Sequence, residues 1–204
     1  MSRIPSSGLE RIVFFSDAVM AIAITLLILE VRLPAGAASP DVGRQVLALW
    51  PKYLGYFVSF WVIALYWVAH HRCFQHIRAY DRGLINLNFL FLLFIAFMPF
   101  PTGLLFGHPT QVASVTLYAG TAAGMGLSLG LLWTYAVRRR FIVPGFSRRK
   151  IRDIRLNLFL PPLVFALTIG IAFLDTTVAV YAWLLLVPVY VFRRLRERSL
   201  ALRP

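Results

Sequence analysis

Long apolar runs separated by short polar connections make up most of the sequence. A helix needs about 20 mostly apolar residues to cross the hydrocarbon core of a bilayer. By this criterion the pattern predicts helices over residues 9–33, 52–71, 83–106, 111–137, 156–174 and 176–192. The fold class we expect is therefore an all-α membrane protein, with one six-helix transmembrane domain over residues 1–204 and no soluble domain.

Most predicted connections are short, and residues 138–155 form a basic loop. Loops on the cytoplasmic side of a membrane concentrate Lys and Arg. Of the 21 Lys and Arg residues, 18 lie in the N-terminal segment, the second and fourth connections and the C-terminal tail. The even helix number agrees with this asymmetry. We therefore expect both termini and the 138–155 loop to be cytoplasmic, in a plasma or inner membrane.

The composition supports a membrane protein. The chain is 59% hydrophobic and 14% charged, whereas soluble domains average about 45–50% apolar and about 25% charged residues. A net charge of +13 is also typical of nucleic-acid-binding proteins. Here the cations cluster between apolar runs, so the expected partner is the lipid bilayer with its anionic head groups, not nucleic acid. A single cysteine, Cys73, excludes an intrachain disulfide,.

The first apolar run, "RIVFFSDAVMAIAITLLILE" (residues 11–30), carries polar residues at its ends and one threonine near its middle. At about 100° per residue, Asp17 lies about 140° from Ile22 around the helix. The face of Ile22 also contains Phe15, Ala18, Thr25, Leu26, Leu29 and Leu33. An apolar stripe of this kind is usually buried in the core or exposed to lipid, so periodicity alone assigns it no function.

Three consecutive stretches resemble one family. The first run is similar to the Arg-x-x-x-Phe-Ser-Asp signature of the lysosomal potassium channel called transmembrane protein 175 and of its prokaryotic homologues. "FVSFWVIALYWVAHHRCF" (residues 57–74) resembles the second helix of that family, and "NLNFLFLLFIAFMPFPTGLL" (residues 86–105) resembles its third. The resemblance covers residues 9–105, and the second half of the chain agrees only in helix number and hydropathy.

The resemblance implies a homotetrameric, moderately potassium-selective cation channel, with potassium as the permeant ion and neither a cofactor nor a soluble protein partner. The first helices would line the pore, with Ile22 at a hydrophobic constriction, Thr25 at a polar position and Leu29 at a further hydrophobic ring. Additional lining candidates are Ala18, Leu26 and Leu33.

The signature residues have a second expected role. The resemblance implies an inter-helix clasp that joins Arg11, Phe15, Ser16 and Asp17 to Trp67, His70, His71 and Asn88. A carboxylate inside a membrane needs a partner, which favours a clasp for Asp17. A direct role of Asp17 on the transport path remains the alternative.

The sequence also bears on three alternatives to a channel: a metal site, an enzyme and a secondary transporter. His70, Cys73 and His76 have a three-residue spacing that resembles metal-ligand spacing, but the resemblance places His70 in the clasp and the other two at a wet helix end, so we predict no metal site. The sequence contains neither "HExxH" nor "GxSxG", so we predict no enzyme. A secondary transporter remains the alternative function, although no acidic residue lies in the middle of a predicted helix, where coupled transporters usually keep one.

Overall fold

The computed structural model describes residues 6–33 and 42–183. Its elements are α1 (Ser6–Leu26), a 3₁₀ turn (Leu27–Glu30), α2 (Val42–Ala48), α3 (Trp50–Phe74), α4 (Arg82–Phe97), α5 (Pro99–Gly107), α6 (Val112–Arg138), α7 (Arg148–Ala172) and α8 (Thr176–Ala182). These described ranges contain no β-strand, only an isolated bridge between Ile77 and Ile142. The predicted all-α class is confirmed.

Five stretches of the described chain are long and apolar enough to cross a membrane. They are Gly8–Glu30, Trp50–Phe74, Arg82–Gly107, Val112–Arg138 and Arg148–Ala172. The sixth predicted helix, residues 176–192, begins as α8, but its residues 184–192 lie outside the described ranges. The count of six spans therefore stays a prediction.

The first predicted helix, residues 9–33, ends earlier than expected. Its α-helical part stops at Leu26, the 3₁₀ turn follows, and Leu33 lies beyond the turn. Tightening into a 3₁₀ turn is common at helix ends. In the sequence Pro34 comes next, and a proline disfavours the helical conformation of the residue before it. The uniform 100° periodicity assumed for the whole stripe is therefore wrong after Leu26.

The third predicted helix, residues 83–106, is two helices. The break falls at Met98, between α4 and α5. Pro99 lacks a backbone N–H, and its ring crowds the carbonyl four residues earlier, so the helix cannot continue through it unchanged. The Met98 N–H instead bonds to the Ile95 carbonyl at 3.2 Å.

Two predicted connections contain helix. The segment 34–51 includes α2, and the predicted 138–155 loop ends at Ser147, because α7 begins at Arg148 and not at residue 156. Ile151 and Ile154 pack against the core at helical spacing,. This apolar face stabilises the first two turns of α7 despite the arginines around it.

Helix α6 lies at the centre of the bundle, packed against α4 and α7. Its Tyr118, Met125 and Trp133 side chains are fully buried. The aromatic rings of Phe94 and Phe159 lie directly over Gly124 and Gly130 of this helix. Small residues thus let the neighbouring helices approach α6 closely.

The connections at the basic end of the bundle are tied together. Asp81 accepts hydrogen bonds from the Leu84 N–H at 2.9 Å, from the Tyr135 hydroxyl at 2.8 Å and from Arg139 Nη2 at 3.1 Å. Partial burial raises the pKa of Asp81, but these bonds and the Arg139 charge outweigh it, so the pKa lies below its ordinary value,. Asp81 is therefore ionised at neutral pH and fastens the start of α4 to the end of α6.

Candidate functional site

One face of α1 belongs to the core of the bundle. Ser16, Met20, Ala23 and Leu27 recur every three or four residues, and each side chain is at most 1% exposed. This spacing places the four residues on one side of the helix. The face packs against α3 and α4, which fixes the rotation of α1 about its own axis.

The opposite face of α1 is exposed. Ile22 is 59% exposed and Leu29 is 48% exposed. The remaining exposed residues of the stripe are Phe15, Ala18, Thr25, Leu26 and Leu33. All residues of the predicted stripe are therefore exposed in their own chain, and this surface is available to lipid or to other copies.

Thr25 presents an oxygen on that surface. Its hydroxyl donates a hydrogen bond to the Ile22 carbonyl at 2.8 Å. A hydroxyl has one donor and two acceptor lone pairs. Because the hydroxyl proton is donated within the helix, the lone pairs of the Thr25 oxygen remain free to bind a ligand outside it. A cation is a suitable ligand.

The 3₁₀ turn changes the geometry at the C-terminal end of the stripe. Side chains three residues apart eclipse each other in such a turn, so Leu26 and Leu29 lie nearly in line along the helix. Leu33 lies past the turn, outside any regular secondary structure. Of the three additional lining candidates, Ala18 and Leu26 are thus on α1 itself, and Leu33 is not.

A buried chain of hydrogen bonds joins α1, α3 and α4. Asn88 Nδ2 donates to Ser16 Oγ at 2.9 Å, and Ser16 Oγ donates to the Ile12 carbonyl at 2.8 Å. Asn88 Oδ1 lies 2.9 Å from His70 Nε2. Because this oxygen can only accept, the proton of His70 lies on Nε2. The other ring nitrogen, Nδ1, is buried and has no hydrogen-bond partner in the described ranges.

Asp17 makes a separate contact at the edge of this cluster. Trp67 Nε1 donates to Asp17 Oδ1 at 2.7 Å, and the Trp67 ring stacks on His71 with centroids 5.4 Å apart. Phe15 packs edge-on against Phe89 of α4 at 5.9 Å. The structure thus brings Phe15, Ser16 and Asp17 against α3 and α4.

Arg11 stands apart from the other residues of the expected clasp. Arg11 is exposed and makes no hydrogen bond or ion pair with another signature residue over the described ranges. Within the same ranges no three His, Cys, Asp or Glu side chains are placed to hold a metal ion. Cys73 is buried, and the His76 ring packs on Phe146 at 4.5 Å.

A second buried polar cluster was missed by sequence reasoning. Thr102 Oγ1 donates to Ser59 Oγ at 2.9 Å, and Ser59 Oγ lies 3.2 Å from the Tyr118 hydroxyl. The cluster joins α3, α5 and α6. Its only sequence signal was a serine, a threonine and a tyrosine inside apolar runs, which is also the pattern of unremarkable membrane helices.

Comparison with known proteins identifies relatives. The family model described as endosomal/lysosomal potassium channel TMEM175 matches residues 11–99. A potassium channel of Streptomyces collinus is 34% identical over 190 residues, covering 90% of this chain and 92% of that protein. The human endosomal/lysosomal proton channel TMEM175 is 41% identical over 98 residues, covering 44% of this chain and 19% of the human protein.

A solved structure shares the fold. The crystal structure of a lysosomal potassium-selective channel TMEM175 homolog from Chamaesiphon minutus matches with a TM-score of 0.79 and 31% sequence identity. The match covers 92% of this chain and 98% of that one. With the nearly full-length sequence match and the apolar helices, this similarity shows that the chain is a multi-pass membrane protein of the TMEM175 family.

Proposed function

We propose that the chain forms a potassium-permeable channel and that α1 of each copy lines its pore. The observation that carries the proposal is the exposed stripe of α1, which lies opposite the face that packs into the core of the same chain. The relatives support the permeant ion, because the Streptomyces protein is named a potassium channel and the Chamaesiphon protein is described as potassium-selective.

The pore requires several copies of the chain. One stripe on one helix cannot enclose a path, and α1 lies at the surface of its own bundle. Membership in a channel family agrees with self-assembly in a bilayer. We propose a homotetramer, in which Ile22, Thr25 and Leu29 of the four copies form successive rings.

The selectivity mechanism follows from ion hydration. A hydrophobic constriction excludes water, so an ion must shed part of its hydration shell at the Ile22 ring. Potassium holds water less tightly than sodium and loses less free energy there. The Thr25 hydroxyl oxygens partly replace the lost water. This mechanism gives moderate selectivity, because the pore surface offers few oxygen ligands.

The polar cluster has a structural role in this proposal. Ser16 and Asp17 hold α1 to α4 and α3, and these contacts lie off the stripe. The cluster thereby fixes the rotation that presents Ile22 to the pore axis. The basic end of the bundle faces the cytoplasm, as the positive-inside rule requires.

A secondary transporter is the second candidate. Coupled transporters usually keep ionisable residues near the middle of the membrane. Among the described residues, Asp17 lies within the span Gly8–Glu30 but accepts a hydrogen bond from Trp67, Glu30 ends that span, and Asp153 lies in the first turns of α7. This placement favours a passive pore over a coupled binding site.

The test is a recording of purified protein in planar bilayers, with potassium on one side and sodium on the other. Ile22→Asn should wet the constriction and move the reversal potential toward the value for equal permeability. The control is Leu167→Asn on α7, where the leucine is 62% exposed and lies away from α1. It should record like the original protein.

Each outcome discriminates between functions. Passive current with an unchanged reversal potential in Ile22→Asn contradicts the pore assignment. Substrate-saturable flux without passive current favours the transporter. A reversal potential that follows a proton gradient and not the potassium gradient assigns to this chain the ion named for its human relative.

A further inference from the structure

The outer end of α1 is held by a contact between Glu30 and Gly103. Glu30 ends the 3₁₀ turn, and Gly103 lies on α5. The Glu30 carboxylate occupies the space next to the Gly103 Cα, so that an added Cβ there would overlap it. Only glycine leaves this position open, and the side chain of Glu30 fills it.

The same turn has further contacts. Leu27 is fully buried, and the turn packs against both α3 and α5. Lys52 Nζ of α3 donates a hydrogen bond to the Arg32 carbonyl at 3.0 Å, just past the turn. Leu27, Glu30 and Lys52 also line a small cavity together with Gly103. The turn is thus held on its inner side, while Leu29 is exposed on the other.

We infer that Glu30 is a positioning residue for the proposed channel: seated against Gly103, it fixes the 3₁₀ turn and thereby the Leu29 ring. This inference rests on the proposed pore and assigns it a second determinant of selectivity, remote from the stripe. Glu30 acts by occupying the space at Gly103 and does not itself touch the permeant ion. A displaced turn gives a wider, wetter Leu29 ring, which discriminates less between potassium and sodium.

Gly103→Ala tests the contact between Glu30 and Gly103 without altering any pore-lining residue. The overlapping atoms belong to the end of a flexible side chain, so Glu30 can leave its place and the chain can still fold. The reversal potential should shift toward equal potassium and sodium permeability. Gly107→Ala on the same helix is the matched control, because an added Cβ there meets nothing within 4 Å.

The reversal potential is the appropriate readout because it does not depend on how much protein folds or inserts. Glu30→Ala removes the side chain that contacts Gly103, and it should shift the reversal potential in the same direction as Gly103→Ala. Glu30→Gln keeps the size of the side chain and should retain the original reversal potential. In the double variant Gly103→Ala/Glu30→Ala the shift should not exceed the larger single shift, since both changes remove one contact.

The outcomes separate this inference from the proposed function. If Ile22→Asn shifts the reversal potential and neither Gly103→Ala nor Glu30→Ala does, the pore assignment stands and the positioning role is wrong. If Glu30→Gln shifts the reversal potential as far as Glu30→Ala, the carboxylate charge acts on the ions directly. The contact of Glu30 with Gly103 is then not its function. If Ile22→Asn has no effect, the proposed pore itself is wrong.

Discussion

Asn88 uses both ends of its side-chain amide inside the bundle. The nitrogen donates to Ser16 on α1, and the oxygen accepts from His70 on α3. All three side chains are at most 1% exposed. A buried polar group without a partner costs about 1–3 kcal/mol, so the position of each side chain depends on the other two.

Asn88→Ala should destabilise the protein by about 1–3 kcal/mol, because it leaves His70 Nε2 without an acceptor and Ser16 Oγ without a donor. The measurement is the midpoint of thermal unfolding in detergent. Asn86→Ala is the control, since Asn86 lies on the same helix and is exposed. Equal midpoints for the two variants would show that the buried chain of hydrogen bonds contributes nothing to stability.

The sequence predicted this cluster only in part. The resemblance indicated one group, and the structure places most of it in neighbouring contacts between α1, α3 and α4: Phe15, Ser16, Asp17, Trp67, His70, His71 and Asn88. It also predicted a place for Arg11, which lies apart. Spacing along a helix tells which residues share a face, but not which side chain of another helix lies opposite. The contact of Glu30 with Gly103 was not predictable for this reason.

The glycines of α6 differ in their surroundings. Gly120 and Gly124, and Gly126 and Gly130, form two small-xxx-small pairs in the sequence. A Cβ on Gly126 would overlap Pro162 of α7 and the Tyr66 hydroxyl, whereas a Cβ on Gly120 would meet nothing within 4 Å. The same sequence motif therefore contains Gly126, where the close approach of α7 requires glycine, and Gly120, where no neighbour requires it.

Gly126→Ala should destabilise the protein by about 1–3 kcal/mol, the usual cost of overpacking a closely packed site. Gly120→Ala should be neutral or stabilising by up to about 1 kcal/mol, because alanine favours the helix over glycine. Thermal unfolding of the two variants measures both effects. An equal loss in Gly120→Ala would mean that its surface is covered in the assembled protein.

Helix type and approximate length were predictable from apolar runs, and helix ends were not. The run over residues 83–106 is continuous in hydropathy, yet the chain breaks at Met98 because of the backbone chemistry of Pro99,. The run over residues 9–33 changes to a 3₁₀ turn where Leu27 is buried between neighbouring helices. Such ends depend on packing that a hydropathy pattern does not contain.

The two ends of the bundle differ in charge. Asp81 and the bridge between Ile77 and Ile142 hold the connections of the basic end together. The opposite end exposes His108 between α5 and α6. This polarity predicts a single orientation in the membrane, with the basic end inside.

Labelling of introduced cysteines with a membrane-impermeant thiol reagent measures that orientation. His108→Cys should react in intact cells, and Ser147→Cys, at the start of α7, should react only after the cells are opened. The unmodified chain is the background control, because Cys73 is 1% exposed and should not react. Labelling of Ser147→Cys in intact cells would contradict cytoplasmic placement of the basic connection.

The 3₁₀ turn at the end of α1 also has an electrical consequence. A 3₁₀ turn rises about 2.0 Å per residue and an α-helix 1.5 Å, so Leu27–Glu30 extends α1 about 2 Å further than the same residues would in an α-helix. In the proposed pore this lengthens the water-poor stretch between Ile22 and Leu29. Most of the transmembrane voltage falls across such a stretch, and a full crossing corresponds to about 2.3 kcal/mol per charge for each 100 mV. A blocking cation that reaches Thr25 from either side therefore crosses a large share of the field, which makes its block steeply voltage-dependent.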